Sequence, residues 1–181
     1  MQNDLEKYVK RLNLCKEEVD RISWHEYFIL QAYMVSNRSL DAQTQCGCVI
    51  VKPDKTIVGS GYNSFIANID DSVLPNLRPE KYPFMIHAEH NAILNCAKNG
   101  ISTNECLAFV TGPPCSSCFQ YMHQAGISEI YYYDGNYANM TCNTEYENQI
   151  SLLKKLSNMR VYIIPQSSEF SDKIFKIKSC R

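Results

Sequence analysis

The residues of this chain that are best suited to chemistry lie in two short motifs. The first reads H-A-E at residues 87–89, and the second reads P-C-x-x-C at residues 114–118. Because Cys115 and Cys118 are three residues apart, a helix that begins at the proline places both sulfur atoms on one face. A third ligand, His87, comes from another helix. Three protein ligands leave the fourth corner of a zinc tetrahedron open, which is typical of a catalytic site.

The carboxylate of Glu89 gives this predicted metal site a hydrolytic function. A catalytic zinc lowers the pKa of a bound water to about 7, and a nearby carboxylate that is not itself a ligand can take up the proton. We expect Glu89 to pass that proton to ring nitrogen 3 of a cytosine and then to protonate the leaving amine, so that ammonia departs. H-x-E combined with P-C-x-x-C is the signature of zinc-dependent base deaminases. Glu89 is therefore the predicted catalytic residue.

A structural zinc site is the alternative interpretation of the same motifs. Such a site takes its fourth ligand from the protein, and the candidates are His90 and His123. His90 is three residues from His87 and can share its helix face. We favour the open site, because Glu89 would have no role in a closed one.

Length and composition restrict the class of protein. At 181 residues and 20.8 kDa, the chain is expected to form one main domain. A net charge of −1 and a pI of about 6.4 argue against a general nucleic-acid binder. No apolar run approaches the roughly 20 residues needed to cross a bilayer, and residues 1–20 lack the apolar centre of a signal peptide. We expect a cytoplasmic protein with no membrane partner, located in the host cytoplasm if the source is viral.

The nine cysteines are a high and odd number. Without a signal peptide, metal ligands and buried reduced thiols are more common than disulfides. The seven cysteines outside P-C-x-x-C show no second ligand spacing, and we interpret them as small buried or incidental thiols. They are Cys15, Cys46, Cys48, Cys96, Cys106, Cys142 and Cys180.

Predicted helices and strands alternate along the chain and would position the two motifs. Strands are predicted at residues 46–52, 56–60, 107–111, 129–133 and 160–164. Helices are predicted at residues 4–19 and 23–37, from H-A-E to about residue 99, from P-C-x-x-C to residue 126, and at residues 145–158. Ser23 and Glu26 form a capping box at the second of these helices. Residues 52–55 make the turn of an antiparallel hairpin.

These elements predict an α/β fold with three layers, α/β/α, around a five-stranded mixed sheet. Helices separate the last three strands, and such connections join parallel strands by right-handed crossovers. We expect an N-terminal helical arm at residues 1–21, a catalytic domain at residues 22–165 and a polar, irregular C-terminal tail at residues 166–181. The loop at residues 63–85 shows no regular period, and a loop this long in a compact domain is usually functional.

Further motifs make the chain similar to one enzyme family. They are S-W-H-E-Y-F at residues 23–28, R-S at 38–39, G-C-V-I-V at 47–51, G-S-G-Y-N at 59–63, D-D and L-P within 70–75, K-Y-P at 81–83, H-A-E-H-N-A-I at 87–93 and Q-A-G-I at 124–127. With them, the chain resembles the deoxycytidylate (dCMP) deaminase family over roughly residues 22–165. The resemblance implies a cytidine deaminase-like fold, and hydrolysis of dCMP to dUMP and ammonia that supplies thymidylate synthesis.

The resemblance also implies roles for individual residues. Asn63 is expected to hydrogen-bond the sugar hydroxyl, the alternative being a turn asparagine, and the backbone of Ala88 to meet the pyrimidine carbonyl. Arg38 is expected to bind the phosphate, since a guanidinium binds phosphate bidentately; the alternative is a solvated charge at a helix end. Tyr137 is expected to close over the nucleotide, with the tyrosines at residues 131–133 as alternative stacking rings.

Two departures from the family pattern bear on metal content and regulation. Some members carry an extra cysteine/histidine zinc site before H-A-E, but residues 63–86 contain neither residue type, so we predict one Zn²⁺ per subunit. The family run G-Y-N-G-x-P reads G-Y-N-S-F-I here. In the family, that loop helps bind dCTP as activator and dTTP as inhibitor. Mg²⁺ can accompany the bound nucleotide. The resemblance assigns Tyr62, Ser64 and Phe65 to this effector site, and the changed run leaves open whether regulation is retained.

Oligomeric state and two other functions complete the expectations. The family is commonly hexameric, so we expect a homo-oligomer. One alternative function is a nucleic-acid-acting deaminase of the same fold, for tRNA adenosine or for cytidine in DNA or RNA. The near-neutral charge disfavours it, because phosphate contacts require clustered Lys and Arg. The other is a non-catalytic module that zinc stabilises, which Glu89 and the open coordination disfavour.

Overall fold

A computed structural model of the chain describes residues 6–7, 21–133, 144–165 and 167–179. The predicted N-terminal arm at residues 1–21 lies almost entirely outside the described residues. Within the described ranges, the chain folds around one central sheet. No helix in these ranges is long and apolar enough to span a membrane.

Helices and strands alternate from residue 24 onward. The helices are α1 (Trp24–Ser36), α2 (Ala88–Lys98), α3 (Ser116–Gln124), α4 (Thr144–Leu156) and α5 (Ser168–Ser179). The strands are β1 (Gly47–Val51), β2 (Ile57–Tyr62), β3 (Leu107–Val110), β4 (Glu129–Tyr133) and β5 (Arg160–Ile164). A short 3-10 turn, Asp71–Val73, lies in the long loop before α2. The five predicted strands are therefore confirmed to within two residues at each end.

The strands form a five-stranded mixed sheet in the order β2-β1-β3-β4-β5. β1 runs antiparallel to both β2 and β3, whereas β3, β4 and β5 run parallel to one another. The hairpin of β1 and β2 and the parallel crossovers are both as predicted. With helices packed on each side of the sheet, the predicted three-layer α/β/α class is confirmed.

The start of α1 shows how local sequence sets an element boundary. The Glu26 backbone N–H donates to Ser23 Oγ at 3.2 Å, and the Ser23 backbone N–H donates to Glu26 Oε2 at 2.9 Å. This reciprocal pair is the predicted capping box, and it satisfies two donors that the first turn cannot pair internally. Helix α1 then packs across β1 on one side of the sheet.

The two sides of the sheet carry different cores. The site face, covered by α2, α3 and α4, is rich in small side chains: Cys48, Ala88, Ala92, Cys96, Ala108 and Cys118. The aromatic face, covered by α1 and α5, buries mostly large side chains: Phe28, Ile29, Tyr33, Phe109, Tyr133, Phe170 and Ile174. Small residues on the site face let helix backbones approach the sheet closely.

Gly61 in β2 marks the closest approach on the site face. A Cβ at this position would lie 2.3 Å from Ala92 N and 2.4 Å from Ala88 O. Because these are backbone atoms of α2, they cannot move aside as a flexible side chain would. The first turn of α2 is therefore held directly against the end of β2, and this contact places the H-A-E motif.

The segment after Pro165 differs from the sequence expectation. Instead of an irregular tail, residues Ser168–Ser179 form α5, which packs against α1. Phe170 and Ile174, four residues apart, are buried in the aromatic face. The segment is mostly polar, so its narrow apolar stripe is difficult to recognise from the sequence. In the structure, this stripe packs into the core of the aromatic face.

Candidate active site

The three predicted zinc ligands lie at the starts of two neighbouring helices. His87 is the N-cap residue of α2, and Cys115 is the N-cap residue of α3. The helix thus begins just after Cys115 and not at the proline, and Cys118 sits in its first turn. The Cys118 backbone N–H donates to Cys115 Sγ at 3.3 Å. Helix N-termini favour negative charge, which suits the thiolates that bind a metal.

The spacing of the ligand atoms fits tetrahedral zinc. His87 Nδ1 lies 3.5 Å from Cys115 Sγ and 3.5 Å from Cys118 Sγ. Zn–S bonds of about 2.3 Å and Zn–N bonds of about 2.0 Å at tetrahedral angles place nitrogen and sulfur about 3.5 Å apart. The three side chains are therefore spaced as three ligands of one tetrahedral zinc would be.

Neither alternative histidine joins this cluster. Among the described residues, only His87, Cys115 and Cys118 form a group of potential ligand atoms, all within 4.8 Å of one another. The ring of His90 stacks on Tyr121 with centroids 4.5 Å apart, and His123 lines a separate groove with Asn104 and Glu105. The geometry favours the open, catalytic type of site over the closed structural one.

Protonation within the cluster is also suited to a metal. A hydrogen bond between the two thiols lowers the pKa of Cys115 to about 4 and raises the pKa of Cys118. A hydrogen bond with Cys115 raises the pKa of His87, although burial opposes this shift. A thiolate at Cys115 is thus favoured in the protein alone, and metal binding would displace the proton from Cys118 and any proton on His87 Nδ1.

Glu89 is buried beside the cluster in the first turn of α2. Burial raises the pKa of its carboxyl group, while hydrogen bonds from its own backbone N–H and from Cys118 oppose the shift. A carboxyl group whose pKa is raised holds a proton more readily, which helps it both to accept and to return one. Its position next to the ligands is the one required of a general acid–base.

Asn63 sits close to these residues through a short backbone bridge. Ser64 N–H donates to Ile86 O at 3.0 Å, and Ile86 N–H donates to Ser64 O at 2.8 Å. Asn63 and His87 are the residues next to this bridge in the chain. Ala88 is fully buried, and its backbone carbonyl oxygen lies against Gly61 near the end of β2. The structure therefore brings Asn63 and Ala88 to the same end of the sheet as the metal ligands.

Arg38 lies in a cavity together with the three residues assigned to the effector site. This cavity, of about 450 Å³, is lined by Arg38, Tyr62, Ser64 and Phe65, and also by Asn91 and Asn95 of α2. Asn91 Nδ2 donates to Tyr62 O at 2.8 Å and to Ser64 Oγ at 3.0 Å, which joins α2 to the cavity wall. Tyr137, the predicted stacking residue, lies outside the described residues.

Two charged residues near Asn63 were not identified from the sequence. Lys81 and Asp41 form an ion pair at 2.6 Å, and each side chain is only 3% exposed. Lys81 belongs to the K-Y-P run and Asp41 follows Arg38 and Ser39 closely, but nothing in a single sequence links two residues forty positions apart. The only sequence signal for this pair was the K-Y-P run in a long loop without regular periodicity, and that run does not indicate its partner.

A histidine, two cysteines and a buried glutamate at helix N-termini on a mixed sheet define a zinc-dependent hydrolytic deaminase. Residues 22–134 match the family described as the cytidine and deoxycytidylate deaminase zinc-binding region. The chain belongs to this family, which confirms the resemblance drawn from the sequence motifs.

The chain is similar to named relatives and to a solved structure. Over 129 residues, the chain is 38% identical to the deoxycytidylate deaminase of Homo sapiens, in a match that covers 68% of this chain and 71% of that protein. Over 118 residues it is 37% identical to ComE operon protein 2 of Bacillus subtilis, covering 63% of this chain and 61% of that protein. The dCMP deaminase of cyanophage S-TIM5, solved with dCMP and dUMP, superposes with a TM-score of 0.64 at 25% identity, over 81% of this chain and 100% of that chain.

Proposed function

We propose that the protein hydrolyses dCMP to dUMP and ammonia and so supplies dUMP for thymidylate synthesis. The observation that carries this proposal is the meeting of His87, Cys115 and Cys118 at tetrahedral spacing beside the buried Glu89. Its support comes from relatives more than one third identical that are named deoxycytidylate deaminases.

The proposed chemistry centres on Glu89. When bound, one Zn²⁺ held by the three ligands supplies a water of lowered pKa. With that water in place, Glu89 would take one of its protons and deliver it to ring nitrogen 3, as the oxygen adds to ring carbon 4 and the double bond between carbon 4 and nitrogen 3 becomes single. Glu89 then passes the second proton to the amino group, the C–N bond breaks and ammonia leaves. The raised pKa of Glu89 suits this double role.

Substrate recognition is proposed to use residues around the same end of the sheet. The backbone of Ala88 meets the pyrimidine carbonyl, Asn63 binds the sugar hydroxyl, Arg38 binds the phosphate and Tyr137 closes over the nucleotide. Asn63 and Ala88 are supported by their position beside His87. The phosphate role of Arg38 rests on the family resemblance. The cavity that Arg38 lines also has Ser64, next to Asn63, in its wall, but neither Glu89 nor a predicted zinc ligand lines it.

Regulation and assembly form a finer part of the proposal. Tyr62, Ser64 and Phe65 line one cavity at the β2 edge of the sheet, which supports a shared site for dCTP or dTTP as effector. Mg²⁺ is proposed to accompany the triphosphate. A homo-hexamer is the proposed assembly. Mass measurement in solution, with and without dCTP and Mg²⁺, tests both statements together, because effector binding and subunit association would be seen in one experiment.

A substrate panel tests the proposed reaction. Pure zinc-loaded protein is incubated with dCMP, CMP, deoxycytidine, dCTP and a cytosine-containing oligonucleotide, each with and without added dCTP and Mg²⁺, and ammonia release is recorded. We expect dCMP to give the highest kcat/KM. Reaction of the oligonucleotide alone would establish the nucleic-acid-acting alternative, which the net charge of −1 disfavours. No reaction under any condition would support the non-catalytic zinc module.

The phosphate role of Arg38 has its own test. Arg38→Ala is expected to raise the KM for dCMP about 10- to 100-fold, the size of a lost charged hydrogen-bond pair. The KM for deoxycytidine, which has no phosphate, is expected to stay within about twofold. Equal effects on both substrates would remove Arg38 from phosphate binding, and loss of dCTP activation alone would assign it to the effector.

A further inference from the structure

A buried ion pair contacts the side-chain amide of Asn63. Lys81 Nζ is 2.6 Å from Asp41 Oδ1, and both side chains are 3% exposed. Lys81 comes from the long loop before α2, and Asp41 comes from the loop that follows α1. Burying two charges is costly unless they are fully paired. Such a pair contributes little to stability compared with apolar side chains, so its position is the feature that requires an explanation.

The carboxylate of Asp41 is saturated with donors. Its Oδ1 accepts from Lys81 Nζ and from the backbone N–H groups of Gln43 at 2.8 Å and Thr44 at 3.0 Å. Its Oδ2 accepts from Asn63 Nδ2 at 3.0 Å. Burial by itself would raise the pKa of Asp41, but the bonds from Lys81 and the two backbone groups bring it below the ordinary value. Asp41 is therefore a fixed negative charge facing the amide of Asn63.

The amide of Asn63 has almost no hydrogen-bonding capacity left. Nδ2 uses one hydrogen on Asp41 Oδ2 and the other on Thr44 O at 2.8 Å. Oδ1 accepts from the Cys46 backbone N–H at 2.7 Å. Since an amide nitrogen has two donors and its oxygen has two lone pairs, a single lone pair on Oδ1 remains. In this arrangement Asn63 can accept one more hydrogen bond and can donate none.

We propose that Lys81 and Asp41 are positioning residues that hold Asn63 as an obligate acceptor, so that the enzyme selects a sugar whose 3′-hydroxyl donates. This inference rests on the proposed function, since dCMP offers that hydroxyl to a residue beside the metal ligands. Lys81 acts through Asp41, and Asp41 acts through the orientation of the Asn63 amide. The long loop thereby contributes to specificity from a residue that does not touch the substrate.

Unmodified enzyme tests the direction of the hydrogen bond. The substrates are dCMP, its 3′-deoxy analogue and its 3′-fluoro analogue, in which fluorine accepts weakly and cannot donate. We expect kcat/KM for both analogues to fall roughly 10- to 100-fold below that for dCMP, and to lie within about threefold of each other. A 3′-fluoro analogue that reacts nearly as well as dCMP would overturn the acceptor assignment.

Variants test the positioning role. Lys81→Met removes the counter-ion, and Asp41→Asn combined with Lys81→Met replaces the ion pair by neutral side chains of similar size. Because two backbone N–H groups hold the amide oxygen of the new Asn, its NH₂ group would face Asn63 Nδ2, donor against donor. We expect the preference for dCMP over its 3′-deoxy analogue to shrink to about threefold or less, through KM more than kcat. Lys81→Arg, which keeps the charge, is expected to retain most of the preference.

A mutant cycle separates positioning from a general loss of structure. In an Asn63→Ala background, Lys81→Met should cause no further change in the preference, because its effect passes through Asn63. Lys173→Met removes the i,i+4 ion pair with Glu169 on α5, in which the lysine is partly exposed and the glutamate exposed. It is the control variant and should leave the preference unchanged. Zinc content and thermal melting establish that each variant is folded.

Each failure has a separate meaning. Absence of dCMP deamination by the unmodified enzyme would contradict the proposed function itself. Deamination of dCMP with an undiminished 3′-hydroxyl preference in folded Lys81→Met, or an additive effect in the Asn63→Ala background, would overturn the positioning role alone.

Discussion

The two faces of the central sheet carry different side chains and have different structural roles: the site face positions helices, and the aromatic face buries apolar area. On the site face, alanine, glycine and cysteine let α2 approach until its backbone contacts Gly61. On the aromatic face, Phe109 lies 4.9 Å from Phe28 and 4.9 Å from Tyr131 between ring centroids. Close backbone approach fixes the position of helix N-termini, whereas large rings bury apolar area.

This contrast explains where the chemistry lies. Zinc ligation requires His87 Nδ1 and two sulfur atoms at fixed separations, and small residues beneath the helices leave little freedom in how those helices sit. The aromatic face does not have to hold ligand atoms at fixed separations. Its side chains need only fill the space between the helices and the sheet. We therefore expect substitutions on the site face to affect catalysis, and substitutions on the aromatic face to affect stability with little effect on kcat.

Adding a methyl group to the site face should have the largest effect. Gly61→Ala places a Cβ 2.3 Å from Ala92 N and 2.4 Å from Ala88 O, so α2 must move away from the sheet. We expect about 3 kcal/mol of destabilisation, the upper end of the usual cost of overpacking, together with loss of bound zinc and activity. Denaturant unfolding and zinc analysis measure these quantities.

Gly100→Ala is the matched control for that substitution. Gly100 follows α2 with φ +66°, and a methyl group added there would meet no atom within 4 Å beyond its chain neighbours. The expected cost is about 1 kcal/mol from the left-handed backbone alone, with zinc content unchanged. Equal losses in the two glycine variants would contradict the importance of close approach on the site face.

Removing a ring from the aromatic face should affect stability without affecting chemistry. Phe109→Ala is expected to lower the free energy of unfolding by about 3–5 kcal/mol, because Phe109 is fully buried among other rings. At a temperature where the variant is folded, kcat for dCMP should stay within about threefold of the unmodified value. A loss of kcat larger than the loss of folded protein would show that the two faces are not separable.

The smallest expected effect concerns the ion pair that lies outside both faces. The pKa of Asp41 is below its ordinary value of 3.8, so the stability that its ionisation contributes is present above that value and is lost as pH falls through the folded-state pKa. The free energy of unfolding of the unmodified protein, taken relative to that of Asp41→Asn/Lys81→Met, should therefore decrease as pH falls below 3.8. Chemical denaturation at several pH values measures it, and a constant difference would contradict the assigned ionisation.

Much of the fold follows from local sequence. The capping box at Ser23, the stop at Gly100 and the hairpin turn each depend on residues within a few positions of one another. The grouping of His87, Cys115 and Cys118 could be predicted for a related reason, because each motif is local and few residue types bind zinc. The parallel strands followed from the helices between them.

Long-range contacts could not be predicted in the same way. The pairing of Lys81 with Asp41 and the burial of α5 on α1 depend on residues far apart in the chain, and no period in a single sequence reports them. Phe170 and Ile174 lie within a mostly polar segment, and two apolar residues alone do not predict a packed helix. They form an interface because they meet the core of the aromatic face. The grouping of Arg38 with Tyr62 and Ser64 in one cavity is likewise a result of tertiary packing.

The most direct test of this account compares the unmodified enzyme with Glu89→Gln. Ammonia release from dCMP, zinc content and thermal melting are measured on both proteins under the same conditions. We expect kcat to fall at least about 1000-fold if Glu89 has the proposed role of both base and acid. Zinc content should stay equal, and the melting temperature should be unchanged or higher, because a buried carboxyl group is removed. A variant that retains zinc and deaminates dCMP at near the unmodified rate would contradict the central role of Glu89.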